Sequence, residues 1–131
     1  MVKRFGFPKK QRLKSRKLIE EVFTAGKTVT AFPLRASYLY TKGKGLLQVG
    51  VTASKRNFKK AVDRNRIKRL IREAYRLQQH TLLFPLQEKQ VNGAVFFMYT
   101  DRTIAPFQVI REAMEQCLKK LEQKIPHEDL S

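Results

Sequence analysis

Between Arg64 and Arg76 the sequence sets Arg64, Asn65, Arg66, Lys68, Arg69, Arg72 and Arg76 within one short stretch. Guanidinium forks grip phosphate oxygens in pairs, and a carboxamide both donates and accepts, which suits a 2′-hydroxyl or a base edge beside the phosphates. If the stretch is helical, spacings of three, four and seven stack Asn65, Lys68, Arg69, Arg72 and Arg76 into one stripe flanked by Arg64 and Arg66. Only Asp63 and Glu73 lie close enough to offset any of this charge. Like charges at i, i+4 cost about 0.2–0.5 kcal/mol per pair, so an anionic ligand would relieve the stripe. RNA or DNA backbone is its natural ligand.

The charge elsewhere points the same way. The chain has 131 residues, with 28 Lys and Arg against 11 Asp and Glu, for a formal charge of +17. Residues 1–17 hold eight basic groups and no acid, residues 55–76 hold ten basic and two acidic, and residues 77–131 hold six and seven. Two separate basic stretches beside a neutral C-terminal half favour a polyanion partner over a merely solvated surface. Lys55 and Arg56 extend the positive surface between a strand and the basic helix. Phe23, with Tyr38 and Tyr40 on one strand face, could stack an unpaired base at about 1–3 kcal/mol per stack, or could serve as core.

Other chemistries find little support. The acids are scattered, so neither a metal cluster nor an acid–base pair is evident. His80 and His127 have no companion at ligand spacing and read as surface histidines. Cys117 stands alone, which excludes an internal disulfide, and reads as a small core residue. Gly26-Lys27-Thr28 imitates the end of a phosphate-binding loop, but Glu21 occupies the place of the required earlier glycine. Arg4-Phe5-Gly6-Phe7 is cut short by Pro8 as an RNA-recognition strand. The longest apolar run, Ala94 to Tyr99, falls far short of the roughly 20 residues needed to span a bilayer. No secretory h-region precedes it, so a cytoplasmic protein is expected. A membrane-surface helix or a calmodulin target would need the apolar face of the basic helix to be free.

The elements that must position these groups follow from periodicity. One domain is expected over residues 1–131, with about 1–14 a basic arm. Ser15 is a candidate N-cap for a helix of about ten residues, marked by Leu18, Ile19, Val22 and Phe23 and closing at Gly26. Leu34 to Tyr40 and Leu46 to Ala53 alternate in period two around a Gly-containing turn and read as a hairpin. A short strand near Thr28 to Phe32 precedes them, held to an edge or a strand start by Pro33. Lys59 to Gln79 reads as a helix burying Ile67, Leu70, Ile71, Ala74 and Leu77. A loop broken at Pro85 leads to the strand Ala94–Tyr99. Phe107, Ile110, Met114, Cys117 and Leu121 mark a last helix between Pro106 and Pro126.

Ser54-Lys55-Arg56 and the run Ala61-Val62-Asp63-Arg64-Asn65-Arg66-Ile67-Lys68-Arg69-Leu70-Ile71-Arg72-Glu73 resemble the signature of the bacterial ribonuclease P protein family. Arg12-Leu13-Lys14, Val22-Phe23 and Val49-Gly50-Val51 add to the likeness, which extends over nearly the whole chain. The resemblance implies an α+β two-layer sandwich, order α-β-β-β-α-β-α. Its four-stranded sheet would have a left-handed β-α-β crossover, where periodicity alone predicts the right-handed one. Related domains are the second domain of a ribosomal protein and domain four of elongation factor G.

The resemblance also implies a subunit of a ribonucleoprotein endonuclease that binds ribonuclease P RNA, one protein per RNA, and the 5′ leader of precursor tRNA. Phosphodiester hydrolysis and its Mg²⁺ would belong to the RNA, leaving no catalytic residue in the protein. Arg64, Asn65, Arg66, Lys68, Arg69 and Arg72 map to the RNA-binding helix, and Arg76, Arg12 and Lys14 extend that surface. The leader cleft maps to Phe23 and Tyr38, with Lys55 and Arg56 at its rim. Ile19 stands where some members place an aromatic, and no C-terminal Tyr matches another, which implies weaker stacking. A structural ribosomal protein and a nonspecific RNA chaperone are the rival classes.

Overall fold

The computed structural model describes Arg12, Leu13 and residues 15–126. Lys14, the rest of the basic arm and His127 lie outside the described residues.

The first helix, α1 (Arg16–Ala25), begins where the Ser15 hydroxyl accepts from the Leu18 amide at 3.3 Å. It stops at Gly26, which donates its backbone N–H to the Val22 carbonyl. Strands β1 (Lys27–Ala31) and β2 (Leu34–Lys42) form an antiparallel hairpin around Phe32-Pro33, whose peptide bond is cis. Then come β3 (Leu47–Ala53), α2 (Ala61–Gln78), α3 (His80–Lys89), β4 (Val91–Tyr99) and α4 (Phe107–Gln123). The sheet order is β1-β2-β4-β3, with β4 antiparallel to β2 and parallel to β3. The crossover between the adjacent parallel strands runs through α2 and α3 on one face of the sheet, and α4 packs beside α2 and α3.

The alternation that suggested a hairpin of β2 with β3 is real, but the pairing is not. β4 lies between them, bonded to both. Asn92 explains the gap: its Oδ1 accepts from the Lys44 and Leu46 amides at 3.1 and 2.9 Å, so the connecting loop wraps around the start of β4. Gly45, at φ +92°, supplies the left-handed backbone this path needs. An uninterrupted apolar run such as Ala94–Tyr99 suits a strand covered on both faces, which is the place of a central strand.

The segment expected as a loop at Pro85 is helix α3 with the proline inside it. Proline in a helix interior costs about 3 kcal/mol. Leu82 and Leu86, four apart and fully buried, offset it at roughly 1.5–3 kcal/mol each. In α2 the inward residues are Ile67, Ile71, Ala74 and Tyr75, whereas Leu77 is 42% exposed. At 100° per residue Tyr75 lies nearer the Ile67–Ile71–Ala74 direction than Leu77 does, and its ring meets Phe97 at 6.2 Å.

The sheet's two faces serve different ends. Leu34, Ala36, Tyr38, Leu47, Val49, Val95, Phe97 and Tyr99 belong to the large core shared with the inward faces of α2, α3 and α4. Ala94 on the other face forms a smaller cluster with Leu13 and Val22, joined by Leu18, Ile19, Leu39 and Phe96. Cys117 sits in the large core, where burial pushes its thiol up to about 11, the inert state expected of a packing cysteine.

Candidate nucleic-acid interface

Helix α2 begins at Lys60 without a side-chain cap. Arg64 compensates, donating from Nη1 to the carbonyls of Phe58 and Lys59 at 2.8 and 2.9 Å, which ties the loop after β3 to the helix. The Ser54 hydroxyl orders the same loop by accepting from the Arg56 and Asn57 amides at 3.1 and 3.4 Å. At the far end Arg76 forms a fork on Glu73, with Nε at 2.9 Å from Oε1 and Nη2 on Oε2. That hydrogen bond lowers the Glu73 pKa and raises that of Arg76.

The expected stripe therefore divides by role. Asn65, Arg66 and Arg69 are exposed and Lys68 half-buried, all on the outer side of α2. Arg64 and Arg76 are anchored to the protein. Arg72 is also exposed and on the same side, and with Arg12 it lines a cavity of about 520 Å³ between α2, the edge strand β3 and α1. Burial lowers the Arg72 pKa, and the Arg12 charge lowers it further. Arg12 is held there by a parallel bridge with Val49, extended by the Leu13 amide donating to the Val49 carbonyl at 2.9 Å.

Ile19, Leu13, Gly50 and Phe96 line the same cavity. Phe23, 48% exposed, sets its ring 5.2 Å from that of Phe96. Gly50 gives the Phe96 ring its place, since a Cβ there would come within 2.8 Å of Phe96 Cε2. Tyr38 does not join this group. It is 5% exposed in the core on the opposite face, its ring 5.2 Å from Tyr40, whose hydroxyl donates to the Leu121 carbonyl at 2.6 Å. Strand alternation separates Tyr38 from Phe23, and the ring that faces Phe23 is Phe96. Alternation inside the run Ala94–Tyr99 holds the signal for it: Val95, Phe97 and Tyr99 enter the large core, which leaves Phe96 and Met98 to the other face.

The register continues that face one step further. Ser37, Phe96 and Gly50 form one row, and Arg35, Met98 and Thr52 form the next. A second hollow of about 490 Å³ over this row is lined by Arg35, Thr52, Arg56, Met98, Thr100 and Arg102, among others. Arg56 thus lies at the rim of the sheet face, and Lys55 beside it is exposed. Arg35 and Arg102 were not legible as site residues, because isolated cations outside the two basic stretches carry no local pattern. Phosphates could be held along this face while bases meet Phe23, Phe96 and Met98.

Among the described residues no group of three His, Cys, Asp or Glu could hold a metal ion. No described helix is long and apolar enough to cross a membrane. His80 stacks on Phe84 with centroids 4.5 Å apart, away from any such cluster.

Comparison with known proteins follows the same lines. The family model described as Ribonuclease P matches residues 7–122. A Porphyromonas gingivalis protein named Ribonuclease P protein component is 37% identical over 124 residues, covering 93% of this chain and 90% of that one. Among solved structures, a Staphylococcus aureus RNase P protein superimposes with a TM-score of 0.68 at 21% identity, over 88% of this chain and 92% of that one. The RNase P protein of Thermotoga maritima gives 0.65 at 21% identity, over 83% and 96%. The shared architecture is the four-stranded sheet with its parallel crossover.

Proposed function

The chain belongs to the Ribonuclease P family, and we propose that it is the protein subunit that joins ribonuclease P RNA to precursor tRNA for removal of the 5′ leader. One observation carries this reading: the exposed cations of α2 lie beside the aromatic cleft of Phe23 and Phe96, with Arg72 and Phe96 lining one cavity. A stripe alone would serve any polyanion. A stripe beside an aromatic-floored cleft suits two RNAs held at once.

In this reading Asn65, Arg66, Lys68 and Arg69 meet the catalytic RNA through its phosphates, with Arg64 holding the loop that carries Lys55 and Arg56. Lys14, which lies outside the described residues, would add to the same surface. Phe23, Ile19 and Phe96 receive leader bases, and Arg56, Arg35 and Arg102 face the leader backbone. Hydrolysis and its Mg²⁺ are assigned to the RNA. The protein contributes cations that lower the Mg²⁺ needed to bring two polyanions together. One protein per RNA and a cytoplasmic site of action complete the proposal.

The test is reconstitution of the full-length protein with a bacterial ribonuclease P RNA at low Mg²⁺, reading 5′ cleavage of a precursor tRNA with a leader of several nucleotides. The expected result is a large protein-dependent gain that vanishes when the RNA is omitted. No gain with a cognate RNA, together with tight binding to unrelated RNAs, would transfer the assignment to a ribosomal protein or a chaperone.

Phe23→Ala addresses the cleft separately. Because the ring is half exposed, the fold is expected to survive, while the preference for a long-leader over a leaderless substrate falls by about 5- to 150-fold, the worth of one lost stack. An unchanged preference in competition binding, with the circular dichroism spectrum intact, would remove Phe23 from the cleft.

A further inference from the structure

On the sheet face away from Phe23 and Phe96, a recess of about 250 Å³ opens where α1 ends, β1 begins and α4 finishes. Lys27 and Tyr38 are register partners across β1 and β2, so their side chains share the α4 face, and the end of α4 adds Lys124. Both lysines are exposed. Among the described residues neither is ion-paired, and no carboxylate lines the recess. Tyr38, also in its wall, is 5% exposed, yet its hydroxyl makes no hydrogen bond to a described residue. Buried polar groups are nearly always paired, so a donor left over at a cavity wall is free for what enters the cavity. Burial raises the Tyr38 pKa, which keeps the phenol a donor.

The neighbouring Tyr40 is already committed, its hydroxyl donating to the Leu121 carbonyl at 2.6 Å. The Lys124 amide donates to the same carbonyl at 3.1 Å, so the negative end of α4 is covered where an anion would approach. Two ammonium groups and a phenol select an anion with several acceptor oxygens. A phosphate monoester, with a charge of about −1.5 to −2 at pH 7, matches both lysines. Pockets that hold whole small molecules begin at about 300 Å³, so the recess suits a terminal group better than a bridging phosphodiester with a nucleoside on each side.

Building on the reading of the chain as the ribonuclease P protein, we propose that Tyr38, Lys27 and Lys124 bind the 5′-terminal phosphate of the leader. The leader's other end continues into tRNA, which leaves the 5′ end free to enter. Ala25 lines the recess two residues after Phe23, so a strand stacked on Phe23 leads to it around the end of α1. The protein then gauges leader length, favouring substrates whose 5′ phosphate falls at the recess.

The test uses the complex of full-length protein with ribonuclease P RNA dephosphorylated at its own 5′ end. It is titrated with precursor tRNAs that have a noncleavable linkage at the processed bond and leaders of increasing length, each ending in a 5′ phosphate or a 5′ hydroxyl. At one length the phosphate is expected to tighten binding about tenfold, the value of one charge-assisted hydrogen-bonded contact. At shorter and longer leaders the two forms should bind alike. Tyr38→Phe keeps the ring in the core and should lose most of the preference, as should Lys27→Ala/Lys124→Ala, while the 5′-hydroxyl form binds both variants as it binds wild type. Equal affinity of the two forms at every length, or a preference that survives both sets of substitutions, would overturn the proposal. A wild-type complex that binds none of the precursors would instead overturn the functional reading beneath it. Thermal melts check the fold of each variant, and the comparison in wild type stands without them.

Discussion

Changing Arg66, Lys68 and Arg69 together to alanine is expected to weaken binding to ribonuclease P RNA by about 100-fold or more at physiological salt. These side chains lie on the outer side of α2, and none makes a described contact that the fold depends on. Each cation that neutralises a phosphate releases counterions, so the slope of log affinity against log salt should flatten by about 2–3 for the three charges. Filter binding across a salt series reads both quantities. Arg64 is left in place because its guanidinium holds the Phe58 and Lys59 carbonyls, so its removal would confuse RNA contact with loss of a helix cap. Equal affinity and slope in the triple variant would mean that the RNA docks elsewhere.

The second large effect concerns the seat of the cleft. Gly26 lies where α1 ends and β1 begins, and a Cβ there would stand 2.2 Å from the Val22 carbonyl oxygen and 2.5 Å from that of Tyr38. Both obstacles are backbone, so no side chain can swing aside. Gly26→Ala should therefore destabilise the protein by about 3 kcal/mol, lowering the thermal midpoint by about 10 °C. Leader binding should fall with it, since pushing α1 away from β2 also separates Phe23 from Phe96. A midpoint within about 2 °C of wild type would show that α1 and β2 can part without cost.

The site was legible to the extent that its residues were local. The α2 signature lies in one unbroken stretch, and Ser15, Gly26 and Pro106 announced their helix ends. Tyr38 and Phe96 show where local reading stops. Both are strand aromatics, and which one reaches the cleft depends on which face α1 covers, a tertiary fact. The pairing of β2 with β3 failed for a similar reason: alternation tells which residues share a face but not which strand is the neighbour. Helix α3 was hidden by Pro85, whose local penalty is outweighed by two leucines buried against a distant core. Spacing placed Arg72 in the stripe, but it could not show that the N-terminal segment brings Arg12 to the same cavity.

The central place of β4 has a consequence for synthesis. β3 is finished at Ala53, with Arg12 and Leu13 able to bridge Val49 on one edge, but its strand partner on the other edge begins at Val91, so the nascent chain presents that edge unpaired while ~40 further residues are made, about 2–8 s at ribosomal rates. Leu47, Val49 and Val51 are then an apolar edge open to any other chain. The ten basic residues of 55–76 follow directly behind, and their mutual repulsion keeps such edges apart until β4 closes the sheet. The same charges proposed to hold RNA in the finished protein thus act first as a guard against aggregation.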